Sequence, residues 1–451
     1  MARTWHLFLY MKRTIYILLL GLATVQGKAQ ETWTMDRCIQ YAVEHANDIR
    51  RQRMQNEQTA YDEKTAKMAF LPTVGAQVSG QYSWGRNIDP ETNTYNTITT
   101  FNNYYSIAAE VTLFDGGRTL NAFRQARLAR ANSAARIEKL ADERAIQVMT
   151  KFVEAIYNLK SIGLAERKLS DSKALLLKTR RLYELGEKAR PDVVQMESQV
   201  AEDDYNLLRQ QNEARLSLLA LKSEMNFPAG DSLVLDTTVY MDKVAGEAAD
   251  ALFESFRCDA PDVKNAQYDV ENARYNYLIQ RGERLPRLSL GLGISTNYYK
   301  NLSREGHGSD AFGRQLSNNL GEYVYLSLSV PIFNPTVWRS ARKAKTTWQQ
   351  AQVAFEETQR KLRDEISRAV IDRDGCLAEV RQMRKKVEAD SVAYHLSHRK
   401  YEEGMLSTFD LHTSAQTLLQ SRIRLLQMEL TLGMKQRLVN YYKGRKLWTS
   451  K

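Results

Sequence analysis

The chain has 451 residues, of which only 8 are proline and 22 are glycine. Both shares lie below the usual ~5% and ~7%, so turns are few and the secondary-structure elements are expected to be long. Charged residues make up 26% of the chain, and the mean hydropathy is −0.50. These values exclude a membrane protein built from several transmembrane helices, because each helix would need an apolar run of about 20 residues.

The net charge is +11, from 64 basic and 53 acidic residues. Four of the basic residues lie within 1–29, which contains no acid, so the rest of the chain carries a net charge of +7. This charge is spread along the chain, and basic runs such as Arg384-Lys385-Lys386 lie in helix-like stretches beside acidic residues. A solvated helix face explains this pattern better than a nucleic-acid surface, so no nucleic-acid partner is expected.

Residue patterns typical of cofactors, metals and enzymes are weak. Cys38, Cys258 and Cys376 are far apart and form no CxxC pair, so we interpret them as buried small side chains. His395 and His398 stand three residues apart, but no third ligand is evident, and we interpret them as surface histidines. A Gly-rich phosphate loop is also missing from the sequence. We therefore expect no catalytic residue, no cofactor and no metal site.

Residues 1–29 have the pattern of a cleaved export signal. Two basic residues precede the apolar run 15–23, and Gly27 and Ala29 occupy positions −3 and −1 of a cleavage site. The run is too short to span a bilayer. Met11 is an alternative start, because the signal is complete without the first ten residues. The mature chain is expected to lie outside the cytoplasm.

The rest of the sequence divides into two similar halves, 30–245 and 246–451. A Tyr-x-x-Gly-x5-Asp motif occurs in both at an offset of 218 residues: Tyr183, Gly186 and Asp192 against Tyr401, Gly404 and Asp410. A Leu-Pro pair also recurs, at 71–72 and 285–286. Because the offset far exceeds the 20–50 residues of a solenoid unit, we interpret it as a duplicated structural repeat.

Each half reads helix, strand, loop, strand, long helix, turn, helix. β-Hairpins are expected at 73–113 and 287–332, where apolar residues alternate with small or polar ones, a pattern that also fits an ordinary half-buried sheet. Strands of about 10 residues and long polar loops at 86–103 and 301–321 favour membrane strands instead. Aromatic residues at the loop-side ends add to this: Tyr82, Trp84, Tyr104, Tyr105, Tyr298, Tyr299 and Tyr323. Since the smallest membrane barrels have about eight strands, several chains would have to share one barrel.

Long helical hairpins are expected at 115–225 and 336–440. Residues 116–185 contain no proline, and a helix of that length spans on the order of 100 Å. Apolar residues in it follow the spacing of a coiled-coil seam: Ala145, Val148, Phe152, Ala155, Leu159 and Ile162. A strict heptad follows the second turn: Leu411, Leu418, Leu425, Leu432 and Val439.

An exported chain with a duplicated half, two β-hairpins and two long helical hairpins resembles the outer-membrane efflux family, the TolC-like channel tunnels. The resemblance covers essentially all of the mature chain. It implies a mainly α fold with a small β part, in which a long α-helical coiled-coil barrel continues into a membrane β-barrel. Three chains share this 12-stranded barrel, with four strands per chain.

The resemblance also implies a location and a function. The barrel would lie in the cell outer membrane, with the helical tunnel extending into the periplasm. A homotrimer surrounded by outer-membrane lipid would be a passive exit duct of a tripartite efflux or type I secretion system, and the sequence leaves both systems open. Its partners would be a periplasmic adaptor (membrane fusion) protein and an inner-membrane pump of the RND or ABC type. A secreted or periplasmic structural coiled-coil protein without a pore is the alternative.

Further implications of the resemblance concern the two helix turns. Gly186 and Gly404 would lie where the periplasmic tip closes, with Leu185, Met405 and Leu406 as contact points for the adaptor. The alternative is that the glycines only end their helices, because glycine readily adopts the positive φ that such an end requires.

The family closes its tip partly through a tyrosine–aspartate hydrogen bond, and the matching residues here are Tyr401 and Asp192. A second family link, between an arginine and a threonine, matches Leu406 and Pro191 and is expected to be absent.

The constricting aspartate ring of the family matches Asp410, whereas its second acidic position matches Thr413, so one ring is expected instead of two. Three converging carboxylates would favour cations over anions. Asp410 equally suits the start of the following helix as a cap, and both roles are compatible.

Overall fold

The computed structural model describes residues 32–89, 93–238, 246–303 and 311–448. The export signal predicted at 1–29 lies outside the described residues. Within them the order of elements is α1 Met35–His45, α2 Asn47–Met68, β1 Thr73–Asp89, β2 Thr94–Phe114, α3 Arg118–Glu184, α4 Arg190–Glu224, α5 Ala249–Phe256, α6 Pro261–Gly282, β3 Arg287–Asn301, α7 Phe312–Asn318, β4 Gly321–Ser329, α8 Pro335–Glu402 and α9 Thr408–Tyr442. The predicted sequence of helix, hairpin, long helix, turn and helix is therefore present in both halves.

The chain forms two compact units, and each takes segments from both halves of the sequence. Among the described residues, the helical unit takes those up to Ile49, those of 140–252 and those from Glu365 onward. The sheet unit takes the described residues of 50–139 and 253–364. The halves 30–245 and 246–451 therefore do not correspond to separate compact units. This is expected when equivalent elements of a duplication pack against each other.

In the sheet unit, four antiparallel strands follow the order β1-β2-β3-β4. The polar loop predicted at 86–103 is wrong, because β1 and β2 remain paired from Thr73↔Glu110 to Asp89↔Thr94. The outer part of β2 is rich in threonine and aromatic residues, which favour extended backbone even where the sequence is polar. The predicted loop at 301–321 does separate β3 from β4, and it contains the short helix α7.

The two faces of this sheet differ in composition. One face carries exposed apolar side chains, among them Val78, Val324, Leu326 and Leu328 at 63–75% exposure. The other face is polar or small, and the Tyr323 ring covers Gly293, where a Cβ would lie 2.6 Å from the tyrosine Oη.

The predicted aromatic cluster divides between these faces because side chains alternate along a strand. On the apolar face, the rings of Tyr82 and Phe101 are tilted against each other with centroids 4.6 Å apart, and Trp84 stacks on Tyr82 at 6.2 Å. By the register, Tyr104, Tyr299 and Tyr323 belong to the polar face.

In the helical unit, the predicted seams form much of the core. The buried members of the α3 seam are Ala145, Val148, Phe152 and Ala155, and those of the α9 heptad are Leu411, Leu418, Leu432 and Val439. Cys38 and Cys376 are buried as expected, but Cys258 is exposed because it follows the end of α5. No helix within the described ranges is long and apolar enough to cross a membrane.

Candidate functional site

The candidate site is the pair of turns that join α3 to α4 (185–189) and α8 to α9 (403–407), here called the turn pair. Both turns have the same backbone geometry. Gly186 has φ +82° and Gly404 has φ +74°, in the left-handed region that glycine adopts readily. No atom outside the neighbouring residues lies within 4 Å of a Cβ built at either glycine, so backbone conformation alone demands glycine.

The hydrogen bonds of the turn pair are those of the Schellman motif. In the first turn, the Glu187 N–H donates to the Leu182 carbonyl at 2.8 Å and the Gly186 N–H to the Tyr183 carbonyl at 3.0 Å. In the second, the Met405 N–H donates to Lys400 at 2.9 Å, and Gly404 to Tyr401 at 3.1 Å. The Tyr-x-x-Gly motif of the sequence therefore marks two equivalent helix ends.

Tyr401 is buried at 2% exposure and bonds across the two halves of the chain. Its hydroxyl lies 3.0 Å from Thr179 Oγ1 on α3. The Thr179 hydroxyl donates to the Leu175 carbonyl at 2.9 Å, so Tyr401 is the donor to Thr179. The Lys188 ammonium also lies 5.0 Å from the centre of the tyrosine ring.

The expected hydrogen bond between Tyr401 and Asp192 is not formed within the chain. A helical side chain points back toward the N-terminus of its own helix, and this carries the Tyr401 hydroxyl away from the turn and toward Thr179. Asp192 lies beyond the other turn, in the first turn of α4. Its carboxylate accepts the Ala189 N–H at 3.2 Å and the Thr408 hydroxyl at 3.4 Å.

Asp410 occupies the position in α9 that Asp192 occupies in α4, but the residue that caps α9 is Ser407. Ser407 begins the helix, and its Oγ accepts the Asp410 N–H at 3.1 Å. The Ser407 hydroxyl in turn donates to the Asp410 carboxylate at 2.7 Å. Thr413 is exposed and donates to the Phe409 carbonyl at 3.0 Å, within the helix.

The turn pair also presents apolar side chains to solvent. Leu185 is 73% and Met405 is 66% exposed, whereas Leu406 is partly buried. Phe409, which the sequence patterns did not predict as a site residue, is 60% exposed beside Asp410. Phe409 lies outside the heptad that begins at Leu411, and this position in the sequence already indicated an exposed apolar side chain. Thr179 and Thr408 were also missed, and no sequence motif marked them.

Four helices (α3, α4, α8 and α9) enclose a cavity of about 460 Å³ behind the turn pair. His412 lies in its wall, and burial together with the nearby Lys168 lowers the pKa of this histidine, although Asp203 and Glu202 oppose the shift. His395 and His398 also line the cavity. No group of three or more possible metal ligands occurs among the described residues.

The structure has two distinctive features. One is two pairs of long helices, each pair joined by a turn of the same geometry, and the other is a four-stranded sheet with an exposed apolar face. Together these features define a class of protein. Residues 38–226 and 252–438 match the family model described as outer membrane efflux protein. The chain belongs to this family, whose members are channels rather than enzymes. Membership locates it in the outer membrane with its helices on the periplasmic side, and decides against the poreless coiled-coil alternative.

Solved structures show the same fold. A structure of CusC matches with a TM-score of 0.77 and 16% identity, covering 92% of both chains. VceC from Vibrio cholerae matches with a TM-score of 0.76 and 14% identity, covering 92% of this chain and 96% of the other. The open state of the Neisseria gonorrhoeae MtrE outer membrane channel matches with a TM-score of 0.73 and 18% identity, covering 92% of this chain and 89% of the other. The predicted fold class is thus confirmed. A comparison with curated proteins gave no significant match.

Proposed function

We propose that the chain forms a homotrimer that acts as the outer-membrane exit duct of a tripartite efflux or type I secretion system. The sheet carries this proposal. Its apolar face is exposed along β4, with Val324 at 75% and Leu328 at 65%, and its edge strands β1 and β4 have no further partner in the described chain. Unpaired strand edges are not tolerated in lipid, so neighbouring copies would complete the barrel.

The turn pair would be the periplasmic gate of this duct. Tyr401 and Asp192 each connect the two halves of the chain, through Thr179 and Thr408. Asp410 is exposed in the first turn of α9, so three copies could form one acidic ring, with Thr413 in the second position. Such a ring would favour cations over anions. Conduction would be passive, with energy supplied by an inner-membrane pump of the RND or ABC type.

The exposed turn residues would contact a periplasmic adaptor protein. Leu185 and Met405 supply apolar area next to Gly186 and Gly404, and the matching turn geometry would offer the adaptor two similar surfaces per chain. Leu406 adds a partly buried contact. Exposed apolar side chains at an otherwise polar helix end are typical of a protein interface.

The test begins with the purified wild-type protein. We expect a trimer by native mass spectrometry and stable single-channel conductance in planar bilayers. A monomer without conductance would contradict the duct.

The adaptor contact needs a second experiment in cells. The double variant Leu185→Ser/Met405→Ser should reduce co-purification of adaptor and pump after cross-linking. Leu177→Ser is the control, since Leu177 is also exposed on α3 but lies two turns earlier. Equal loss in both variants would contradict an adaptor surface at the turn pair.

A further inference from the structure

At the outer end of the β1–β2 hairpin, the side chains of β1 change from the apolar face of the sheet to the polar face. Tyr82 and Trp84 lie on the apolar face. Gly85 then has φ +127°, a conformation that breaks the alternation of a strand. Beyond it, Arg86 lines a cavity together with Gln81 of the polar face, although the pairing with β2 continues without a shift.

This cavity has a volume of about 450 Å³. Its described lining combines one guanidinium with side-chain amides, hydroxyls, aromatic rings and one aliphatic side chain, and includes no carboxylate. The lining residues are Arg86, Gln81, Asn102, Ser83, Thr100, Tyr95, Tyr299 and Ile88. The cavity lies at the hairpin end of the sheet, because all four strands connect to helices at the opposite end. The described side chains therefore give it a net positive charge and many hydrogen-bond donors.

Among the described residues, Arg86 has an aromatic neighbour but no acidic partner. Its guanidinium carbon lies 5.6 Å from the centre of the Tyr95 ring, within the range of a cation–π contact. Arg86 is exposed and forms no ion pair with another described residue. A guanidinium that contacts a ring without an ion-pair partner can still donate its N–H groups to a carboxylate or a phosphate.

We propose that Arg86 is a specificity-determining residue at an anion-accepting site on the polar face of the sheet. This rests on the proposed trimeric duct, in which the apolar faces contact lipid and the polar faces surround the pore. Three copies would then place three guanidinium groups around the conduit, opposite in sign to the Asp410 carboxylates. Small molecules that carry carboxylates or phosphates are the ligand class that fits this donor set.

The test compares Arg86→Gln with Lys300→Gln. Lys300 pairs with Phe101 on the apolar face and is also exposed, so its variant removes the same charge from the other side of the sheet. In planar bilayers at about 0.1 M KCl, Arg86→Gln should lower the anion-to-cation permeability ratio by about twofold or more, the effect of one charge at roughly 8 Å in water. Lys300→Gln should leave the ratio unchanged, and Arg86→Lys should retain it. The difference should shrink at 1 M salt, where the Debye length is about 3 Å.

Citrate provides a direct probe of the site. Added to the hairpin side of the bilayer, it should reduce the wild-type current more strongly than the current of Arg86→Gln. If the wild-type channel conducts but Arg86→Gln has the same permeability ratio and citrate response, the anion site is refuted and the duct stands. If the wild-type protein does not conduct, both the duct and the anion site are refuted.

Discussion

The contacts of Tyr401 allow a quantitative test of how the turn pair is held together. Tyr401→Phe removes one buried hydrogen bond, at 3.0 Å to Thr179, which should cost about 0.5–1.5 kcal/mol per chain. Thr179→Val leaves the buried Tyr401 hydroxyl without its acceptor and should cost about 1–3 kcal/mol. The double variant removes both partners, so its loss should be smaller than the sum of the two.

A double-mutant cycle distinguishes the partners of Tyr401. The coupling free energy between Tyr401→Phe and Thr179→Val should be about 0.5–1.5 kcal/mol. The coupling between Tyr401→Phe and Asp192→Ala should stay within about 0.5 kcal/mol, since their side chains share no hydrogen bond. Unfolding of the detergent-solubilised protein, followed by far-UV circular dichroism, measures both cycles. Stronger coupling to Asp192 than to Thr179 would refute this reasoning.

The same variant reports on the proposed gate. In a trimer, three copies of Tyr401→Phe would destabilise the closed state by about 1.5–4.5 kcal/mol, so the open population should rise between about tenfold and a thousandfold. Single-channel recordings and antibiotic uptake measure this rise. An unchanged open population, together with the expected loss of stability, would show that Tyr401 supports the fold without controlling the pore.

Three further predictions concern other positions. Gly404→Ala should destabilise the protein by about 1–2 kcal/mol, because Gly404 has a positive φ. Gly163→Ala within α3 should instead stabilise it by about 0.5–1 kcal/mol. Thermal unfolding would contradict this if both variants changed the melting temperature in the same direction. Gly293→Ala should reduce the heat-resistant folded fraction on gels because Tyr323 occupies the space, while Gly75→Ala should not, since nothing lies within 4 Å of its Cβ. Because the folded state lowers the pKa of His412 below its ordinary 6.5, unfolding binds a proton, and stability should fall as the pH drops below about 6.5. His412→Gln should weaken this pH dependence, and an unchanged slope would count against it.

Local patterns in the sequence predicted much of the fold. The heptads predicted the seams of α3 and α9, since a buried helix face depends on spacing along one helix. The strand alternation predicted both hairpins, but the loop predicted at 86–103 is wrong, because the threonines in the outer part of β2 favour extended backbone despite their polarity. The Tyr-x-x-Gly-x5-Asp repeat located both turns and the aspartates in the first turns of α4 and α9.

The sequence by itself determined the elements, their duplication and the glycines at the turns, because these depend on interactions between residues a few positions apart. Only the tertiary structure decided that Tyr401 bonds Thr179 and that Asp192 bonds Ala189 and Thr408. It also decided that Arg86 faces the polar side of the sheet beyond Gly85. Partners between helices depend on the direction of each side chain and on the relative register of the helices, and spacing along one chain specifies neither.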